Sequence, residues 1–443
     1  MDKSLLRISL LGALTGLMAG VLVTLFRFSI EWSQQWMLPG GEIGNYEALP
    51  GWLRFMFPVT GTLLLAFIFE RLPADRRSVG IVHMLDYLRF RKQALPFPNA
   101  VVQFFCGLIA IVSGNSVDRE GPGVHLGAAT ASLLGMRFRL SEDDSYLLAA
   151  AGGAAAIAAA FNTPLAGVIF VIEVLRLRYA INNIVPVIVA SVVGAIISRI
   201  VYGSSPAFNV PAVSIGSLLE LPVMVIMGVL IGLLAAGFIV SMQYAARKTI
   251  SWRPLHAFVL AGFLTGVLAQ WVPEIMGLSY DALSRIFHNE LGLQALLLLV
   301  FAKLVATAVS VGMRLPGGLI GPSLVMGGAV GGFTEILLSD WHSFYTGHSG
   351  FYAMIGMVAM MGAVLRAPLA ALVALIELTG NLNIILPGMI AVVSGEIAAR
   401  SLLGDASAFT AMLKVLHARE ATQQQAEVPE PVLDSDMEKT KKS

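Results

Sequence analysis

Apolar residues in this chain come in long, nearly unbroken runs. Ile8 to Phe26, Phe55 to Phe69, Ile184 to Ile200, Leu221 to Val240 and Ile384 to Val393 are the clearest, and similar runs continue almost to the carboxyl end. A helix crossing the hydrocarbon core needs roughly 17–25 mostly apolar residues, so on the order of ten or more membrane segments follow, several of them too short to cross. Backbone polar groups have no water to bond in lipid, which makes these runs helices. The amino terminus, "MDKSLLRISLLGALTGLMAG", has a basic start, but its apolar run is long for a signal peptide and no cleavage site follows it. It reads as a first, retained helix. This density of segments points to a transporter or channel.

The informative positions are the polar interruptions. "SGNSVDREGPGVHLGAATASLLG", Ser113 to Gly135, places Glu120 between Arg119 and a Gly-Pro pair inside apolar surroundings. A break of this kind is tolerated at membrane depth only where the freed backbone is buried in protein or lines a cavity. Proline suits the first turn of a helix, so Pro122, and Pro322 in "GLIGP", each mark the start of a half-helix. The free N–H groups of such a start carry about half a positive charge and bind anions. An intramembrane carboxylate costs roughly 3 kcal/mol on insertion scales and needs a partner or a role. At a helix start Glu120 can occupy the anion position when ionised and vacate it when protonated. That makes it a gate and a candidate proton carrier. The plainer alternative is a local pair with Arg119 that only fixes the loop.

Two pairs of segments match across the chain. "NTPLAGVIFVIE" from Asn162 and "RAPLAALVALIE" from Arg366 are offset by 204, and "EGPGVHLGAA" from Glu120 and "IGPSLVMGGA" from Ile320 by 200. Their common order and similar offset indicate a duplicated bundle: residues 1–205, then 206–415, joined near "YGSSPAFNVPAVSIGS" and followed by a polar, Pro-interrupted tail over 416–443 that is expected to be disordered.

Composition narrows the function further. The chain is 56% hydrophobic and 13% charged, with a net charge of +1, so nothing points to nucleic acid. The single Cys106 excludes an internal disulfide, and His83 and His125 lack metal-ligand spacing; no metal or other cofactor is expected. Basic clusters at Arg76 and Arg77, Arg89 to Lys92 and Arg247 to Arg253 favour a cytoplasmic side, with both termini there. Neither a nucleophile–base pair nor H-E-x-x-H is apparent, which disfavours an intramembrane hydrolase or any other enzyme. Glu173 and Glu377, at equivalent ends of the two matched segments, are read as helix caps or partners of a cation such as Arg176. Asn115 and Ser116 are read as loop-bonding residues.

At "DREGP" (Asp118–Pro122), "GLIGP" (Gly318–Pro322) and "AAAFNTPLAGVIFVIE" (Ala158–Glu173) the sequence resembles the CLC family of chloride channels and chloride/proton exchangers, in a prokaryotic form without cytosolic regulatory domains. The resemblance spans nearly all of the membrane part. It implies an all-α integral membrane protein with the CLC-type fold of two inverted-topology repeats built from broken and re-entrant helices. It also implies a homodimer in the cell membrane with one anion pathway per subunit. Glu120 would be the gate, and the anion would be bound around Arg119, Gly121, Gly318, Leu319 and Ile320.

Three departures from the family pattern bear on mechanism. The serine facing the central anion falls on Val79, beside Gly80, unless a one-residue shift restores Ser78; Phe409 stands where a tyrosine hydroxyl is usual; and Val174 replaces the acid that exchangers carry directly after the position of Glu173. Asp118 also replaces the first glycine of its motif. Loss of two hydroxyl donors weakens a chloride site, since a hydrogen bond to a charged group contributes roughly 1.5–3 kcal/mol. Val174 points to a chloride channel, voltage- or pH-gated through Glu120. The alternatives are a chloride/proton antiporter using another internal proton route and a fluoride-exporting relative. Chloride and related anions, protons and the lipid bilayer are the expected partners.

Overall fold

The computed structural model describes residues 3–90, 94–208, 210, 215, 217–339 and 350–427. The first half contains α1 (Lys3–Met37), α2 (Gly51–Arg71), α3 (Gly80–Leu85), α4 (Phe97–Val112), α5 (Glu120–Arg137), α6 (Glu142–Phe161), α7 (Pro164–Glu173) and α8 (Ile181–Tyr202). The second contains α9 (Leu221–Thr249), α10 (Pro254–Leu268), α11 (Tyr280–Phe287), α12 (Leu293–Gly312), α13 (Ile320–Ser339), α14 (Phe351–Leu365), α15 (Pro368–Thr379), α16 (Ile385–Leu403) and α17 (Ala408–Glu427). Among the described residues there is no strand, only an isolated antiparallel bridge between Asp118 and Gly318.

Eight helices among the described residues are long and apolar enough to cross a membrane, and five shorter apolar ones accompany them. The protein is a multi-pass membrane protein with two inverted-topology repeats, the series α4 to α8 recurring as α12 to α16. The last helix runs to Glu427, through the start of the segment expected to be disordered; residues 428–443 lie outside the described residues.

Apolar side chains cannot drive helices together in lipid, so close approach of backbones has to. Glycines at four-residue spacing supply it. Gly12, Gly16 and Gly20 of α1 lie on Pro186, Ala190 and Gly194 of α8, and Gly228 and Gly232 of α9 lie on Ala391 and Gly395 of α16. Within the bundle, Gly127 of α5 meets Gly152 of α6, and Gly327 of α13 meets Gly356 of α14. Leu10, Ile226, Phe301 and Ile397, all more than 60% exposed, cover the outer faces. The two helices that start inside the membrane are enclosed at their starts: every residue from Glu120 to Ser132 and from Ile320 to Ala329 is buried.

A Cβ on Gly16 would overlap the Ala190 carbonyl, whereas Gly237 faces open space. Overpacking a close crossing costs about 1–3 kcal/mol or more. Gly16→Leu is therefore expected to lower the thermal midpoint of the purified protein or abolish its monodisperse peak, with Gly237→Leu unchanged. Equal midpoints for the two variants would refute the close crossing.

Candidate functional site

Two half-helix starts meet at the centre of the protein. Residues 117–118 and 317–318 run antiparallel, Asp118 N–H donating to Gly318 O and Gly318 N–H to Asp118 O, both at 3.2 Å. The chain then turns into α5 on one side and α13 on the other, with Pro122 and Pro322 in the first turns as expected. In each helix only the first N–H groups lack a carbonyl partner upstream, because the ladder begins with Gly123 N–H to Arg119 O and Ser323 N–H to Leu319 O.

Asp118 engages N–H groups of both starts. Gly121 N–H donates to its Oδ1 (3.0 Å) and Gly321 N–H to its Oδ2 (2.7 Å), so one carboxylate joins the starts of both half-helices. The Ile320 N–H also faces it. The helix-start position expected for Glu120 is thus held by Asp118, to which the sequence pattern gave no role. The signal was present in the motif, where an acid stands in place of glycine.

Glu120 is fully buried. Its Oε1 accepts from the Tyr280 hydroxyl at 2.8 Å and lies 3.3 Å from Arg119 Nε, while Oε2 has no hydrogen-bond partner among the described residues. The pair with Arg119 exists, but the guanidinium has other engagements: Nη1 is 3.4 Å from Glu31 Oε1, and Nη2 donates to Ala160 O at 3.4 Å. Tyr280, absent from the sequence reading, opens α11. The segment before it is held by Lys303 of α12, whose fully buried ammonium donates to Ile275 O (2.9 Å), Gly277 O (3.3 Å) and Ser279 Oγ (2.6 Å). A lysine within the apolar run of α12 was the available sign.

Cavities approach this centre from both ends. The larger, about 550 Å³, is lined by Val79, Gly80, Gly121, Gly318, Leu319 and Phe409 among others, and by Arg77, Arg314 and Arg419. It gathers six of the candidate anion-site residues. The smaller, about 390 Å³, reaches Arg119 and Tyr280, and Arg27 and Glu31 also line it. Ile320 borders neither; its side chain lines a separate apolar cavity with Phe161 and Phe170. Ser78 and Val79 both line the larger cavity, so the shift in alignment changes which of two adjacent residues is offered to an anion. Gly80, at φ +82°, begins α3 in a backbone region that favours glycine.

His83 also lines the larger cavity, and its Nδ1 lies 2.9 Å from Nε2 of His125, which is buried behind it in α5. Val174 follows the last residue of α7, apolar and 7% exposed. Glu173 accepts from Leu369 N–H (3.1 Å) and Ala370 N–H (2.7 Å) at the start of α15, and Glu377 from Leu165 N–H (3.0 Å) and Ala166 N–H (2.7 Å) at the start of α7. The two glutamates thus cap each other's repeat. Ser116 Oγ lies 2.9 Å from Thr307 Oγ1, and Asn115 Nδ2 donates to Ser113 Oγ at 3.0 Å, within the loop.

The chain is 29% identical over 438 residues to the H(+)/Cl(-) exchange transporter ClcA of Vibrio cholerae, covering 96% of this chain and 92% of that protein. It is also 29% identical over 405 residues to a putative chloride channel protein, ClcB-like, of Ralstonia nicotianae, covering 88% of this chain and 93% of that one. Among solved structures, a slow cyanobacterial Cl-/H+ antiporter superposes with a TM-score of 0.83 at 23% identity, covering 94% of this chain and 99% of that chain. A CLC-type fluoride/proton antiporter superposes at 0.76 and 19% identity, covering 93% and 99%. These superpositions match the fold. The family model described as "Voltage gated chloride channel" matches residues 61–400, most of the length, and the chain belongs to that family.

Proposed function

We propose that the chain exchanges chloride for protons across the cell membrane, working as a homodimer with one pathway per subunit. One observation carries this reading: a fully buried glutamate, Glu120, lies where two half-helix starts converge, between cavities that approach from opposite ends. A carboxyl in that place can bind a proton, leave the anion's path and return. The exchange transporters among the relatives support the antiporter over the channel that Val174 suggested. The larger cavity, rimmed by Arg77, Arg314 and Arg419 and lined by Phe409, Met412 and Leu416 of α17, is the cytoplasmic mouth under the positive-inside rule. On this reading both termini face the cytoplasm, and the lining by α17 supports it for the carboxyl end.

With valine at 174 and Glu173 fixed as a cap, the internal leg of the proton route needs another start. The hydrogen-bonded His83–His125 pair in the wall of the cytoplasmic cavity provides one. His125 lies five residues along α5 from Glu120, roughly 7.5 Å of helix axis. A second reading, passive chloride conduction, is favoured by the apolar burial of Val174.

Reversal potentials in liposomes separate the two. Exchange predicts a reversal displaced from the chloride value and uphill proton movement driven by chloride; Glu120→Gln should abolish the proton movement and keep chloride flux. A reversal that follows chloride alone, with no uphill protons, establishes the channel. Tyr280→Phe gives an independent check. Losing a hydrogen bond to a charged group costs about 1.5–3 kcal/mol, which shifts Glu120 from its place beside Tyr280 toward the pathway and slows chloride efflux by about tenfold or more. The effect should vanish in a Glu120→Gln background, and an unaltered rate in Tyr280→Phe alone would count against this role of the hydroxyl.

A further inference from the structure

Asp118 ties up the N–H groups that an anion would use. Its Oδ1 and Oδ2 accept from Gly121 at the start of α5 and Gly321 at the start of α13, and the Ile320 N–H faces it as well. The carboxylate is 0% exposed, and the space around it is filled: a Cβ built on Gly318 would overlap Oδ1. The cytoplasmic cavity reaches Gly121, Gly318 and Leu319 on one side of it, and the opposite cavity reaches Arg119 and Tyr280 on the other. An anion passing between the two cavities therefore meets the Asp118 carboxylate at the paired helix starts. Helix starts favour negative charge of either origin, and two anions cannot share the same N–H groups.

From these contacts we propose that Asp118 is a second tethered anion in series with Glu120, closing the paired helix starts until an entering anion displaces it or a proton neutralises it. The proposal rests on the anion-transport reading above. The charged and titratable groups around the carboxylate are Arg119 and Glu120 on its own segment, Tyr280 of α11 and Lys303 of α12; α13 contributes backbone N–H groups. Lys303 has no hydrogen bond to Asp118, its ammonium being engaged with Ile275, Gly277 and Ser279. Two carboxylates so close resist being ionised together, so a proton taken up by the pair removes one of the two blocking charges. Protonation of Asp118 turns an acceptor of two N–H bonds into a neutral group that holds them weakly, and the N–H groups become available to chloride. A strut that merely spaces the half-helices would show none of this competition.

The test uses the purified full-length protein, with chloride as the probe. Calorimetric chloride binding in detergent should tighten by about tenfold or more in Asp118→Gly and Asp118→Asn, since each removes the resident competitor. Efflux from liposomes at neutral pH should rise in both. In a Glu120→Gln background, efflux should still increase as pH falls, and adding Asp118→Asn should flatten that remaining dependence. Chloride binding that is unchanged or weaker in folded variants overturns the proposal, as does a flat pH profile for Glu120→Gln alone. Failure of both variants to fold also overturns it, because a competitor is dispensable for folding and a strut is not. Absence of chloride efflux from wild-type liposomes refutes the transport reading instead, and the binding experiment still judges Asp118.

Discussion

A helix that begins inside a membrane leaves N–H groups that only the protein itself, or a ligand, can satisfy. The interior follows from where these groups point. α5 and α13 start within four residues of the Asp118–Gly318 bridge, from opposite repeats, and their first N–H groups face one carboxylate. The same constraint recurs at α7 and α15, which start at Pro164 and Pro368 and are capped by Glu377 and Glu173 respectively. Each case is a half-helix from one repeat completed by an acid. At α7 and α15 the acid crosses from the other repeat and both oxygens are used on adjacent N–H groups of one helix. At the centre Asp118 divides its oxygens between two helices, which makes its release there a change shared by both repeats.

The neighbouring cations explain why two acids can sit so close. Arg119 stands between Glu31 and Glu120, and Arg27 is bound to Glu31 at 2.7 Å with its guanidinium carbon 3.6 Å from the Tyr202 ring centroid. Buried charges are costly unless paired and hydrogen-bonded, and this chain of alternating signs pairs them along the wall of the smaller cavity. Lys303 acts at one remove. Its three acceptors all belong to residues 275–279, so the ammonium fixes the entry to α11 and with it the Tyr280 hydroxyl that holds Glu120.

The membrane fold was readable because its causes are local: apolar runs of spanning length and Gly-Pro breaks at helix starts act through neighbours in sequence. The matched segments also located the two helix starts and the two capping glutamates, although the caps exchange between repeats in a way that spacing alone does not reveal. The site itself was only partly legible. Glu120 stood out as a carboxylate in an apolar setting, but which acid would hold the helix N–H groups depends on a backbone crossing between residues about 200 apart in sequence. Tyr280 and Lys303 come from helices that carry no motif, and their relation to Glu120 exists only after the repeats have packed. The contact of His125 with His83 joins α3 to α5 and follows from no periodicity.

These placements recast the significance of Val174. An internal acid there would lie beside Glu173, whose two oxygens already serve α15, and a second carboxylate next to it would add like charge at a capped helix start. Valine avoids that cost and leaves α7 well packed. In the proposed exchange the proton would enter instead through α3, where His83 lines the larger cavity and meets His125. An imidazole pair passes a proton by switching which nitrogen donates, without carrying the permanent negative charge that would repel an anion in the same vestibule. For the proposed exchange a histidine pair at 83 and 125 would stand in for a glutamate at 174, leaving the anion path less negative while keeping a titratable group within one α5 turn and a half of Glu120.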